Sequence, residues 1–148
     1  MNMEKETKNL IVRDLCGRIP FGVVMRNKYG VTAVLRTLNA SFGMFELEAE
    51  PDSGYELGSV LDWKPCLRPM SSMTEDERNE MKKMLCPTGT GSFDEEGLVV
   101  PMSHFGDKIH YDFMSRILEW LNARHFDHNG LIAKGLAIEV NEFFNPYK

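Results

Sequence analysis

The chain of 148 residues carries a formal net charge of −5 and is 43% hydrophobic. A composition this rich in apolar residues is typical of a globular domain and excludes a wholly disordered chain. The 17 basic residues are spread along the sequence, which disfavours a nucleic-acid-binding protein because phosphate binding needs clustered positive charge. We expect residues 1–148 to form a single domain, frayed only over residues 1–8.

Several features predict a cytoplasmic protein that has no membrane association. No apolar run approaches the roughly 18–20 residues that span a bilayer. The first ten residues, MNMEKETKNL, lack the apolar core of a signal peptide. Cys16, Cys66 and Cys86 are widely spaced and form no CxxC pair, which indicates reduced thiols and argues against disulfides or a zinc site.

The first part of the chain predicts a helix and then β-structure. Leucine and isoleucine recur at helical spacing, and Gly17 and Pro20 suit the end of a helix near residues 6–17. The runs FGVVMR, VTAVLRTL and MFELEAE follow, separated by the turn signals NKYG and NASFG. They predict a three-stranded antiparallel meander, which a short edge strand near residues 57–62 extends.

The middle of the chain predicts a capped helix and a long loop. Thr74 followed by Glu77 forms a capping box at the start of a helix that ends before Pro87. Before this helix, prolines keep the segment from residue 64 to residue 69 extended or turned. Glycines and prolines interrupt residues 87–106, which predicts a long irregular loop in which LVVPM is a candidate short strand.

A third helix is predicted near residues 108–124, capped by Asp107. In the following stretch, FDHNGLIAKGLAIEV, Asp127 predicts the N-cap of a short helix. A hydrophobic staple joins Phe126 to Leu131, and Gly135 supplies the left-handed residue that closes the helix. LAIEV then predicts a strand.

The same assignment of helices predicts the surroundings of His125 and His128. His125 falls at a helix C-terminus, where the helix dipole favours a partly protonated imidazole. His128 becomes an exposed residue of the next first turn. The fold class predicted from all these elements is α+β: an antiparallel meander of three to four strands with three to four helices packed mainly on one face.

The sequence predicts no catalytic residue, no cofactor-binding residue and no cofactor. TGTGS lacks the lysine of a phosphate loop, and the HExxH and GxSxG motifs are absent. His104, His110 and His125 are the candidates for a metal site, since the fold could gather them although their spacing does not. An alternative function is therefore a metal-dependent hydrolase, which would combine histidines with Asp107, Asp112 or Asp127.

Three segments resemble one known family. DLCGRIPFGV (14–23), KPCLRPMSSMTEDE (64–77) and WLNARHFDHNGLIAKGLAIE (120–139) are similar to the patterns DLCxRLPYGV, KPYLRPMSSMTEEE and WLNxxHFDYRGLIxKGLAL. These patterns are typical of a family of small uncharacterised proteins of gut Bacteroidetes, their phages and mobile elements. The chain departs from them at Cys66, where the pattern has tyrosine, and at His128 and Asn129, where it has Tyr-Arg. The resemblance implies a phage or mobile-element origin and no particular activity.

The leading functional hypothesis is a non-enzymatic accessory protein that binds another protein. The proline-bracketed segment after residue 62 is its predicted recognition element, with Trp63, Leu67, Arg68 and Met70 as contact residues. The alternative is that this segment covers the core, since short apolar segments usually pack inward. A second alternative function is a nucleic-acid-associated regulator, which requires one basic face built by the fold. Its predicted residues are Arg13, Arg18, Arg26, Arg36 and Arg68. No pattern specifies an oligomeric state.

Overall fold

The protein is described by a computed structural model over residues 3–39, 44–48, 56–59, 62–85, 92–94, 97–99 and 107–148. The α+β class is confirmed: these residues form three α-helices, one six-stranded mixed sheet and one two-stranded sheet. Its contacts divide the chain into two compact units, one of Met1–Met70 with Leu121–Lys148 and one of Ser71–Trp120. That residues 1–148 form a single domain therefore remains a prediction.

The helices are α1 (Met3–Cys16), α2 (Glu75–Leu85) and α3 (Asp107–Ala123). Helix α1 includes residues that were expected to fray, because Glu4 and Glu6 in its first turn offset the positive end of the helix dipole. None of the helices in the described part of the chain is long and apolar enough to cross a bilayer. The strands are β1 (Val24–Asn27), β2 (Thr32–Asn39), β3 (Met44–Glu48), β4 (Glu56–Ser59), β5 (Trp63–Leu67), β6 (Ser92–Asp94), β7 (Gly97–Val99) and β8 (Ile138–Glu139).

The main sheet of the first unit has the order β4-β3-β2-β1-β5-β8. Strands β4 to β1 form the predicted meander, but the prediction of three to four strands is wrong. Strand β5, expected to be merely extended, pairs antiparallel with β1, and β8 pairs parallel with β5. Pro65 is tolerated opposite Met25 because β8 meets β5 only from Cys66 onward, so no ladder on that side needs a donor at Pro65.

One face of this sheet packs against α1. Ile11, Val12 and Leu15 of the helix share a buried cluster with alternate residues of the strands. Alternation places every second side chain of a strand in the same layer, as in Ala33 and Leu35 of β2 and Phe45 and Leu47 of β3; beyond Leu35 the register of β2 shifts and Thr37 is exposed. The strand members of the core are Met25, Ala33, Leu35, Phe45, Leu47, Trp63 and Leu67.

On the opposite face of the sheet, the C-terminal segment, residues 141–148, packs around β1 and β5. Val24 and Cys66 form a buried cluster with Val140, and Phe144 and Tyr147 pack against it. The Tyr147 hydroxyl accepts a hydrogen bond from the Val24 N–H at 3.0 Å and donates one to the Cys66 carbonyl at 2.7 Å. It therefore bridges β1 and β5 just past Met25 and Pro65, the last pair in their register.

In the second unit, the predicted capping box of α2 is confirmed. Glu77 N–H donates to Thr74 Oγ1 at 3.1 Å, and Thr74 N–H donates to Glu77 Oε1 at 3.0 Å. The predicted long loop is interrupted by an antiparallel hairpin of β6 and β7, whose second strand contains the start of LVVPM. The rest of residues 87–106 lies outside the described residues.

Candidate functional site

The segment after α3 is shaped by two local hydrogen-bonding motifs. The Asp127 carboxylate accepts the N–H groups of Leu131 and Ile132 at 2.8 and 2.9 Å, which confirms its capping role. Leu136 N–H donates to Leu131 O, Gly135 N–H donates to Ile132 O, and Gly135 has φ +73°, the predicted Schellman closure. The predicted short helix is instead a hydrogen-bonded turn, because the two caps leave a single turn between them.

A buried ion pair ties α1 to this turn. Arg18 Nε lies 2.7 Å from Asp14 Oδ2, and both side chains are 0% exposed. Arg18 also donates to the Phe126 carbonyl at 2.7 Å, and the Asn129 amide donates to Asp14 Oδ1 at 2.9 Å. Sequence analysis missed this cluster, although the i,i+4 spacing of Asp14 and Arg18 is a signal for such a pair. Two of the three guanidinium nitrogens of Arg18 bond protein groups and Nη1 is buried without a partner among the described residues, so we assign the pair to stability rather than to chemistry.

His128 is not the exposed residue that was predicted. Its Nε2 lies 2.7 Å from Asn122 Oδ1, and the side chain is half-buried. Burial lowers the pKa of His128, Arg18 lowers it further, and Asp14 and Asp127 oppose both effects. The imidazole is therefore a structural partner of Asn122, which it holds at the end of α3.

His125 takes a left-handed backbone conformation, with φ +63°. Its ring stacks on that of Tyr147, with centroids 3.5 Å apart and an interplanar angle of 8°. Burial, aided by Arg18 and Arg68, lowers the pKa of His125 to about 4. The expectation of a partly protonated imidazole is therefore wrong: desolvation and the two neighbouring cations outweigh the helix dipole.

Of the three predicted metal candidates, only His125 has its side chain within the described residues. His104 lies outside the described residues, and the side chain of His110, in α3, does too. Across the described residues, no group of three histidine, cysteine or carboxylate side chains is placed to hold a metal ion. The side chains of Asp107 and Asp112, named for the hydrolase alternative, also lie outside the description, while Asp127 serves as a cap.

The predicted recognition segment is divided between core and surface. Trp63 is 6% exposed and Leu67 is 0% exposed, because β5 turns both toward the core, so neither offers surface to a partner. Met70 is 41% exposed, and Arg68 is half-buried. Of the four predicted contact residues, Arg68 and Met70 therefore remain candidates.

The predicted basic face of five arginines is not formed. Arg18 is buried in its ion pair, and Arg36 lies 2.8 Å from Glu48. Arg26 and Arg68 line two different pockets. Positive charge is instead gathered locally around the C-terminal segment.

The first of these pockets, the basic pocket, has a volume of about 400 Å³. Three cationic side chains line it, and none of its lining residues in the described part of the chain is acidic. These three cationic residues lie just after β5, just after α3 and in the C-terminal segment. The lining residues are Arg68, Arg124, His125, Asn145, Tyr147 and Lys148.

A second feature, the aromatic surface, consists of Tyr29 and Val31 in the β1–β2 turn and Phe143 in the C-terminal segment. Tyr29 is 79% exposed and Phe143 is 88% exposed. The Arg26 guanidinium connects the two segments: it lies 4.5 Å from the centroid of the Phe144 ring, and a Cβ on Gly30 would come within 3.4 Å of its Nη2. The aromatic surface had no sequence signal beyond the aromatic residues themselves, because periodicity does not report exposure in turns.

The segments that carry the family resemblance contact one another here. Arg18 of the first donates to Phe126 of the third, and Arg68 of the second forms a parallel bridge with Phe126. No family model, no curated protein and no solved structure matches this chain. Any functional assignment must therefore come from the geometry of the molecule itself.

Proposed function

We propose that this chain is a non-enzymatic interaction protein that binds another protein through the aromatic surface. The observation that carries the proposal is the exposure of Tyr29 and Phe143. Large aromatic side chains are enriched among the residues that dominate binding energy at protein interfaces, because each buries much apolar area and loses little rotamer freedom. Following the motif resemblance, we further propose a phage or mobile-element origin.

The two aromatic residues stand on turns that are rigid before any partner arrives. Asn27 Oδ1 accepts the N–H groups of Tyr29 and Val31 at 2.9 and 3.0 Å. Asn141 Oδ1 accepts the N–H groups of Phe143 and Phe144 at 2.9 and 3.0 Å. A surface held in its binding conformation loses less entropy on association, which favours these turns as anchors.

The charges beside the aromatic surface indicate the chemistry of the partner. A pocket of about 160 Å³ adjoins the β1–β2 turn, and its lining includes the cations Arg26, Lys28 and Lys64 with one acid, Asp62. Complementary potential favours a partner that presents carboxylates around an apolar centre. Because the chain as a whole has a net charge of −5, we expect such a partner to prefer a basic part of the surface, of which this pocket is one.

A pull-down with matched variants tests this function. The chain, tagged at its N-terminus, is incubated with a nuclease-treated host lysate as wild type, as Tyr29→Ser/Phe143→Ser and as Met44→Ser/Leu118→Ser. The last variant removes two exposed apolar side chains elsewhere and controls for general stickiness. We expect one protein, recovered in equimolar amount with wild type and with the control, to be lost with the first variant.

Other outcomes contradict the proposal. A partner retained equally by all three proteins would place the interface elsewhere. The same capture is repeated with a lysate that has not been treated with nuclease. A partner captured only from the untreated lysate, together with nucleic acid, would favour the nucleic-acid alternative, since exposed aromatics beside cations also stack on unpaired bases. Hydrolytic activity of the purified protein that depends on an added metal ion would favour the hydrolase alternative. We place the binding in the cytoplasm, in keeping with the free thiols of Cys16 and Cys66.

A further inference from the structure

The basic pocket is separate in its residues from the aromatic surface, and its shape is fixed by the fold. Arg68 N–H donates to His125 O at 2.7 Å, and Asp127 N–H donates to Arg68 O at 2.8 Å. The Arg68 guanidinium lies 4.1 Å from the centroid of the Phe126 ring, which supports its flat face. Backbone and side chain of this cation are therefore both positioned before a ligand binds.

The opposite wall is fixed in the same way. Tyr147 is held by its two hydroxyl hydrogen bonds to β1 and β5 and by its stack on His125. Asn145 Oδ1 accepts the Tyr147 N–H at 3.0 Å, which orients its amide group. The pocket is thus lined by one stacked aromatic pair, His125 and Tyr147, and by three positive side chains, of which Arg68 is held in place before a ligand binds.

We propose that the basic pocket binds a phosphate monoester. Arginine presents paired N–H donors that match the oxygens of a phosphate, and Lys148 adds a third positive charge. A monoester carries nearly two negative charges at neutral pH, so a cationic lining attracts it more strongly than it attracts a singly charged carboxylate. The volume of about 400 Å³ exceeds what a carboxylate fills and lies within the range of small-molecule sites.

His125 contributes shape and not charge to this site. Because its pKa is lowered to about 4, the ring is neutral at physiological pH. The positive charge that meets the ligand therefore comes from Arg68, Arg124 and Lys148. Binding is expected to change little between pH 7 and pH 8, apart from the ionisation of the phosphate itself.

Calorimetric titration tests the proposal with methyl phosphate, inorganic phosphate and acetate at equal ionic strength. The pocket variant is Arg124→Gln/Lys148→Gln, and the control is Arg13→Gln/Lys134→Gln, which removes the same charge from exposed positions outside the pocket. We expect wild type and control to bind methyl phosphate alike, and the pocket variant to bind it at least about tenfold more weakly, as loss of charged hydrogen-bond donors predicts.

Each outcome bears on the assignment. Equal affinity in all three proteins would show nonspecific attraction and overturn the site, as would acetate binding as tightly as methyl phosphate. If the pocket variant fails to fold, amide shifts of wild type titrated with methyl phosphate decide: shifts confined to residues around Arg124 and Asn145 support the site, and shifts elsewhere refute it. If inorganic phosphate binds and methyl phosphate does not, the assignment of a phosphate monoester as the ligand would also be overturned. Failure here leaves the aromatic surface untouched, since the pull-down variants lie outside this pocket.

Discussion

Removing the carboxylate of the buried ion pair is expected to destabilise the protein strongly. In Asp14→Ala, Arg18 keeps its charge at a site where its side chain is 0% exposed. Of the two described residues that accept hydrogen bonds from Arg18, Asp14 and Phe126, only Phe126 remains. The Asn129 amide also loses its acceptor, Asp14 Oδ1. The variant therefore leaves an uncompensated charge in a buried site, while the amide of the exposed Asn129 can donate to water instead.

The size of the effect follows from that burial. Breaking a buried pair by removing one partner costs about 3–5 kcal/mol, because the remaining ion keeps its desolvation penalty. The exposed pair of Arg36 and Glu48 provides the contrast: Arg36 is 45% exposed, so Arg36→Ala should cost under about 1 kcal/mol. Domains of this kind have a total stability of about 5–15 kcal/mol, so Asp14→Ala removes a large part of it.

Urea unfolding followed by circular dichroism measures both variants and a third, Asp14→Leu/Arg18→Met. Replacing both charges by apolar side chains removes the desolvation penalty, so this double variant should be more stable than Asp14→Ala alone. A cost for Asp14→Ala no greater than that for Arg36→Ala would refute the reasoning. So would a double variant less stable than the single one, because the uncompensated charge would then not be the source of the loss.

Three further outcomes follow from the packing and the pKa values. Tyr147→Phe leaves the Val24 N–H and the Cys66 carbonyl without their bridging hydroxyl, and should lower the free energy of unfolding by about 1–3 kcal/mol in the same urea assay. Gly58→Ala places a Cβ 2.7 Å from Leu47 Cδ1, and should lower the melting temperature through overpacking; an unchanged value would contradict that geometry. The folded pKa of His125, about 4, lies below its ordinary 6.5, so between these values the unfolded chain binds the proton and the folded chain does not. Stability should therefore be complete above pH 6.5 and fall as pH drops toward 4, and His125→Asn, which tolerates the left-handed backbone, should flatten that fall.

The sequence by itself determined the elements whose signals are local. The capping box of Thr74 and Glu77, the cap at Asp127 and the left-handed Gly135 were all predicted, and each depends on groups within a few residues of one another. The meander was predicted for the same reason, since alternation and turn residues define neighbouring strands. The α+β class follows from the order of these elements.

Only the tertiary structure decided the sheet's further strands, the buried ion pair and the candidate sites. Arg18 meets Phe126 across 108 residues of chain, and Val24 meets Tyr147 across 123. Such contacts depend on how whole elements pack, which no local spacing reports. His125 and Trp63 differ from their predictions for the same reason. Helix position predicted a partly protonated imidazole, and the proline-bracketed segment suggested Trp63 as a contact residue. Burial, which the completed fold sets, lowers the pKa of His125 and places Trp63 in the core.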